Sequence, residues 1–222
     1  MRIRDRLHIS EGRQRQAVRA MQLILFGLIF VGLERQSPNI IINACVGLGV
    51  TFLPAIFERD YEIPMDAGLA LWISAAAFLH AVGVIGLPGS DSGLYGSIPH
   101  YDHITHALSA SVVAGVGYAT VRAFDEHTEG IHLPPRYTFV FIVVFVIAFG
   151  VVWELIEFSI QIIGDQTGVG SRGFTQHGLE DTLMDLVFNV IGGIVLGIWG
   201  TVYLTDVVAG IGNRLDGGRS TE

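Results

Sequence analysis

Long apolar stretches occupy most of this 222-residue chain, and they constrain its fold more than any other feature. A membrane-spanning helix needs about 20 predominantly apolar residues, so six such helices with short connections would use nearly the whole length. Half of the residues are hydrophobic and only 15% are charged, a balance that is unusual for a soluble domain. We therefore predict an all-α integral membrane protein, a bundle of six transmembrane helices in the lipid bilayer.

Polar or proline-containing breaks separate the predicted helices and define three regions of the chain. Residues 1–16 form a polar, arginine-rich arm, residues 17–210 form the six-span membrane domain, and residues 211–222 form a tail. The predicted spans are residues 17–33, 39–57, 67–87, 100–124, 136–163 and 180–210.

The arginines predict the orientation, because basic residues near the ends of spans stay on the cytoplasmic side. With the amino terminus inside, the outer connections contain only Arg35 and Arg172. The inner segments contain Arg2, Arg4, Arg6, Arg13, Arg15, Arg19, Arg59, Arg122, Arg136, Arg214 and Arg219. This bias predicts a multi-pass protein of the cell membrane with both termini in the cytoplasm.

The charge balance is acidic, with a formal net charge of -8, and none of the thirteen basic residues is lysine. Such an acidic, lysine-free composition resembles that of proteins from salt-loving archaea. A nucleic-acid partner is not expected, because binding to phosphates requires a basic surface.

Ionisable side chains recur inside the predicted spans, where each costs at least about 2.5–3.5 kcal/mol and commonly marks function. In the predicted orientation they lie in the outer halves of four spans. The set comprises the ionisable His80, Asp102, His103, His106, Glu154, Glu157, Glu180, Asp181 and Asp185, together with the polar Asn189. Its members come from distant parts of the chain, so their common depth predicts one polar site near the outer face.

The spacing of these residues agrees with a shared site, because residues three or four apart lie on one helix face. Such intervals join His103 to His106, Glu154 to Glu157, and Asp181 to Asp185 and Asn189. Gly192 and Gly193 continue the last face with residues small enough for close helix approach.

Imidazole and carboxylate together suit Zn, Mn or Fe, whereas carboxylates with an amide suit Mg or Ca. We therefore predict a divalent metal ion with ligands among His103, His106, Glu154, Glu157 and Asp185, the three carboxylates being the catalytic candidates. Asp102, Asp181, Asn189 and His80 are assigned supporting roles. The alternatives are helix capping for Asp102, Glu180 and Asp181, a buried structural hydrogen bond for His80, and simple packing for Trp72 and Trp153.

The glycine-rich connection 164–178 follows the fifth span and lies over the predicted site. Its Arg172 and His177 are candidates for binding an anionic substrate group, and its glycines could let it close as a lid. The alternative is an exposed connection without a role in binding.

Three segments carry a family resemblance: Asp102-His103-Ile104-Thr105-His106, Trp153-Glu154-Leu155-Ile156-Glu157, and Asp181-Thr182-Leu183-Met184-Asp185 with the later Asn189. With them the chain resembles the YjdF-like family of bacterial and archaeal membrane proteins over predicted spans two to six. More distantly, the order of these helices is similar to that in VanZ-like proteins. The resemblance implies a polytopic membrane protein and does not imply a particular reaction.

Three functions are compatible with such a site. The preferred hypothesis is a metal-dependent membrane enzyme that acts on a lipid or envelope intermediate at the outer face. A transporter that uses the same carboxylates to bind a cation or relay protons is the second hypothesis. A non-catalytic membrane scaffold with a satisfied polar network is the third.

Overall fold

The computed structural model describes residues 10–86, 93–167, 178–200 and 203–219, and these residues are almost entirely helical. The helices in chain order are α1 (Glu11–Glu34), α2 (Pro38–Tyr61), α3 (Ala67–Gly83), α4 (Leu94–Ser97), α5 (Tyr101–His127), α6 (Pro135–Thr167), α7 (Leu179–Val195) and α8 (Thr205–Arg219). A π-helical segment, Leu196–Gly200, directly continues α7.

Within the described residues, five helices are long and apolar enough to cross a membrane. They are Glu11–Glu34, Pro38–Tyr61, Tyr101–His127, Pro135–Ser159 and Leu179–Ile198, and the shorter apolar helix α3 stands between the second and third. The predicted all-α membrane bundle is confirmed. Large apolar side chains such as Leu23, Phe30 and Val144 remain exposed on its outside, as expected of a surface that faces hydrocarbon.

Side-chain caps explain where the first three helices begin. Ser10, Ser37 and Asp66 precede α1, α2 and α3. The side-chain oxygen of each accepts a hydrogen bond from the backbone N–H three residues later in the chain, at 3.4, 3.5 and 2.9 Å respectively. Such caps satisfy amides that have no partner within the helix. α1 therefore begins at Glu11, inside the segment 1–16 that the sequence assigned to a polar arm.

Two predicted spans end differently in the structure. The third was expected to reach residue 87, but α3 ends at Gly83, because the chain turns back there and Gly86 pairs with Gly93. The sixth was expected to continue to residue 210, but the helix widens to the π form and a separate helix begins at Thr205. The predicted tail from residue 211 is thus partly helical, since α8 continues to Arg219.

α5 is the central helix of the bundle and packs against α3, α6, α7 and α8. Its buried face is built from small residues, including Ala110, Ala114 and Ala119. Its closest neighbour is α7, where Gly192 lies directly on the backbone of Ala107, and a Cβ at position 192 would overlap the Ala107 carbonyl. Small residues in such contacts let two helix backbones approach closely inside a membrane.

α8 lies at the end of the bundle where α2 and α5 finish and where α3 and α6 begin. Its Arg214 donates to the backbone carbonyls of Tyr61 and Asp60 at 2.5 and 3.0 Å. Its Asp216 lies 3.0 Å from Nδ1 of His127 at the end of α5. The opposite end, which contains α4, the start of α5 and the start of α7, is called the site end below.

The α5–α7 contact can be tested at Gly192. Gly192→Ala should lower the free energy of unfolding by about 1–3 kcal/mol, because the added methyl overlaps the Ala107 carbonyl and forces the helices apart. Gly49→Ala is the matched control, since nothing lies within 4 Å of a Cβ built there. Thermal unfolding in detergent measures both variants, and equal behaviour of the two would contradict the proposed tight contact.

Candidate metal centre

Two aspartates and one histidine converge at the site end of the bundle. Asp102 and His106 lie one turn apart on α5, and Asp185 faces them from α7. Each of the three offers a ligand atom, and these atoms all lie within 4.8 Å of one another. His106 and Asp185 are buried and Asp102 is half-buried, so the group lies inside the protein.

The separations between these atoms suit a shared cation. Nε2 of His106 lies 3.4 Å from Oδ1 of Asp102 and 3.8 Å from Oδ1 of Asp185. Two atoms bound at about 2.1 Å from one ion, at the tetrahedral angle, lie about 3.4 Å apart. Three protein ligands with a further open position are also the usual arrangement at catalytic metal centres.

Electrostatics also favours a cation here, because further carboxylates surround the group. Asp185 lies within electrostatic range of Asp102, Asp181, Glu154 and Glu157. For Asp102 and Asp185, whose ligand oxygens lie within 4.8 Å of each other, the repulsion is about 3–4 kcal/mol at an effective dielectric constant of about 20. Among the described arginines, none pairs with Glu154, Glu157 or Asp185, so protons or a cation must offset their charge.

Asn189, one turn after Asp185, orients the imidazole. Its side chain hydrogen-bonds the His106 ring, as the partners of metal-ligating histidines commonly do. The amide fits because Gly150 of α6 has no side chain; a Cβ there would lie 2.6 Å from Nδ2 of Asn189. The glycine thus leaves room for the group that positions His106.

Glu154 approaches the group from α6. Its Oε2 accepts a hydrogen bond from Oγ1 of Thr182 on α7 at 3.1 Å, which fixes the carboxylate next to the first turns of that helix. Glu154 is 5% exposed and Asp185 only 2%. Oε1 of Glu154 and Oδ1 of Asp185 are buried without a hydrogen-bond partner among the described residues. Buried oxygens of this kind are otherwise paired, so both are available to a ligand.

Glu157 is held by its own helix and lies beside His80. Nε1 of Trp153 donates to Oε1 of Glu157 at 3.0 Å. The edge of the Trp153 ring contacts the His80 ring, with centroids 5.0 Å apart. α6 therefore contributes a carboxylate, an indole and a second carboxylate along one stripe.

Tyr95 of α4 anchors His80. Its hydroxyl donates to the backbone carbonyl of His80 at 3.1 Å and lies 3.0 Å from Nδ1 of the same residue. Burial raises the pKa of the Tyr95 phenol well above its ordinary value, and the nearby Asp102 carboxylate raises it further. The hydroxyl therefore keeps its proton at physiological pH and remains a donor.

Two separate cavities border the acidic group. On one side a polar vestibule of about 270 Å³ is lined by α4, the start of α5 and Asp181, and includes Asp102. On the other side an apolar groove of about 390 Å³ reaches His106, Glu157 and Asn189. The ionisable side chains thus lie between a polar and an apolar compartment.

The structure places most of the predicted site residues around this point. Asp102, predicted as a supporting residue, lies in the central group with His106 and Asp185. His103, predicted as a ligand, is not part of that group: its ring stacks on Phe188 with centroids 4.3 Å apart. The predicted anion-binding residues Arg172 and His177 lie outside the described residues.

Several residues that position the site side chains were not predicted from the sequence. Tyr95 lies in a connection between spans, Thr182 is an isolated hydroxyl on α7, and Gly150 interrupts a run of large apolar residues. Trp153 was expected only to pack, yet it donates to Glu157. Only Gly150 carried a signal, because a glycine inside an apolar helix often marks a close approach.

Comparisons with known proteins identify related chains. A family model described as "Predicted membrane protein (DUF2238)" matches residues 17–206. A protein of Thermotoga maritima, named "Uncharacterized protein", is 27% identical over 146 residues, which cover 64% of this chain and 66% of the relative's own length. No solved structure matches the chain.

The Tyr95 anchor predicts a stability difference between two tyrosines. Tyr95→Phe should lower the free energy of unfolding by about 1–3 kcal/mol, because it leaves partly buried polar atoms of His80 without their partner. Tyr137→Phe is the control, since that side chain is 54% exposed. Thermal unfolding in detergent should shift for the first variant alone, and an unchanged transition for Tyr95→Phe would contradict the anchoring role.

Proposed function

The chain belongs to the DUF2238 family of predicted membrane proteins, and from this premise we propose that it is a metal-dependent membrane enzyme. Asp102, His106 and Asp185 would hold one divalent cation. The substrate would be a membrane lipid or envelope intermediate, reached from the outer face of a membrane with both termini in the cytoplasm. We also propose that the chain is YjdF-like, on the resemblance of its Asp102–His106, Glu154–Glu157 and Asp181–Asn189 segments.

The observation that carries this proposal is the convergence of a histidine and two aspartates at ligand distances in a buried position. The unpartnered oxygens of Glu154 and Asp185 provide independent support. Neither has a hydrogen-bond donor among the described residues, so a bound ligand would supply the missing partner. A cation bound there would polarise a phosphoryl or carbonyl oxygen or activate water.

The remaining side chains suit acid–base work. Thr182 fixes one oxygen of Glu154 and leaves the other able to accept a proton. Trp153 holds Glu157 in the same way. Two positioned carboxylates beside one cation fit a reaction in which a proton leaves one group and is delivered to another.

Between the site and α8, the described residues include no buried charged side chain. The interior along α5 contains the apolar Ala110, Ala114, Leu204 and Val208, and its buried polar groups are the uncharged Ser74, Ser111 and Thr138. A conduction route would need polar groups that continue the line of charged side chains from the site. This supports an enzyme over the alternative of a transporter.

Metal content tests the proposal directly. Wild-type protein purified in detergent should contain about one divalent ion per chain, and Asp185→Asn should lose it because one of three ligands becomes neutral. Glu180→Gln, an exposed acid in the first turn of α7, should keep it. Elemental analysis measures all three, and a wild-type protein without metal would refute the centre.

Thermal unfolding of the same samples shows whether the ion is bound to the folded state. A chelator should lower the wild-type transition, since saturation at about 100 times the dissociation constant stabilises the folded state by about 2.7 kcal/mol. Asp185→Asn should not respond to the chelator.

The two neighbouring histidines of α5, His103 and His106, should differ in their importance for metal binding. His106→Ala should abolish metal binding, whereas His103→Ala should retain it, because His103 stacks on Phe188 outside the central group. Titration of each metal-stripped variant with Zn²⁺ and Mn²⁺, followed by calorimetry, gives the affinities. Loss of binding in His103→Ala with binding retained in His106→Ala would reverse the assignment.

A further inference from the structure

The apolar groove lies between two helices that do not form a packed pair. α2 packs against α1 and α3, whereas α6 packs against α5 and α7. α3 and α5 form the floor between them, and the lining includes Val46, Ala77, Val113, Val146, Phe149 and Ile156. The groove therefore separates the α1–α3 part of the bundle from the α5–α7 part.

The walls of this groove are apolar and open toward the surroundings. Ile42 and Val46 of α2 are 49% and 55% exposed, and Phe149 of α6 is 48% exposed. In a bilayer these exposed faces meet hydrocarbon, so a lipid chain can enter from the side without crossing water. Lipid tails are as apolar as the groove walls, so entry of such a chain costs little.

One end of the groove is polar. His80, His106, Trp153, Glu157 and Asn189 line it there, beside the central acidic group. Beyond that group lies the polar vestibule that contains Asp102 and Asp181. A polar chamber, a charged centre and an apolar channel in this order match the shape of an amphiphile.

We propose that the groove holds one hydrocarbon chain of a membrane phospholipid, which enters between α2 and α6 and brings its phosphate group to Asp102, His106 and Asp185. The placement of the phosphate rests on the proposed function, because the cation supplies the positive charge that the acidic group lacks. The placement of the chain rests on the groove alone.

The length of the groove fits a lipid chain. From Val146 to Glu157 the groove runs about 16 Å along α6, at about 1.5 Å per residue. One leaflet of a bilayer contributes about 15 Å of hydrocarbon, half of a core about 30 Å thick. The groove therefore matches the depth that one lipid chain occupies, with the polar end of the groove where the headgroup would lie.

Photochemical labelling tests the chain site. Protein in dodecyl maltoside is mixed with phosphatidic acid that carries a diazirine on one chain, and the adducts are located by mass spectrometry. Adducts should concentrate on the groove segments 42–50 and 146–157, and excess unlabelled phosphatidic acid should compete with them. Adducts spread evenly over the lipid-exposed faces, without competition, would overturn the proposal.

Groove-filling variants provide the specificity control. Ala77→Phe and Val46→Phe should each reduce competed labelling about tenfold, equivalent to about 1.4 kcal/mol of binding free energy. Val144→Phe is the matched control, because Val144 is 59% exposed on α6 and does not line the groove. Val46 is itself half-exposed, so its variant tests the groove even if Ala77→Phe fails to fold. Unchanged labelling in Val46→Phe would overturn the chain site.

Metal analysis of the same samples separates this inference from the proposed function. Competed groove labelling in a protein without metal would support the chain site and refute the metal-dependent enzyme. A metal-bound protein with uncompeted, evenly spread labelling would overturn the chain site and leave the metal centre standing.

Discussion

The close approach of α5 and α7 is the contact on which the candidate site depends. Gly192 lies on the Ala107 backbone, directly after His106 in the sequence, and Asp185 lies two turns before Gly192 on α7. The imidazole and the carboxylate therefore project from two helices whose separation is set by backbone contact. Such a rigid scaffold holds ligand geometry better than a loop would.

This contact also brings acidic side chains together, and their carboxylates repel one another. Neighbouring side chains offset part of that repulsion by donating hydrogen bonds. Thr182 and Trp153 donate hydrogen bonds to Glu154 and Glu157, and Asn189 binds His106. These donors satisfy part of the charge, but oxygens of Glu154 and Asp185 remain without a donor in the described structure. A polar network that is satisfied except at its centre is the arrangement expected around a ligand.

The sequence predicted the bundle and the meeting of its acidic helices, because apolar length identifies spans and a spacing of three or four defines a face. It did not distinguish His103 from His106, since residues three apart lie about 60° from each other around a helix and both remain on one broad face. In the structure His103 stacks on Phe188 of α7, whereas His106 lies with Asp102 and Asp185. Tyr95 and Thr182 were likewise hidden, because their partners are 15 and 28 residues away and no local pattern links them.

The end of the sixth span was misplaced because apolar residues continue through the π-helical segment, while the break depends on the contacts of α8.

The length of α6 has a consequence for the environment in which the site works. With 33 residues the helix is about 50 Å long, whereas the hydrocarbon layer is about 30 Å thick. A helix that exceeds its bilayer tilts, and the tilt increases as the layer becomes thinner. The tilt of α6 is set by its packing against α5 and α7, to which the Thr182–Glu154 hydrogen bond also ties it. Glu154 and Glu157 lie in the last two turns of its apolar span, Pro135–Ser159, so they stand near the edge of the hydrocarbon, where a charge costs less than at the centre.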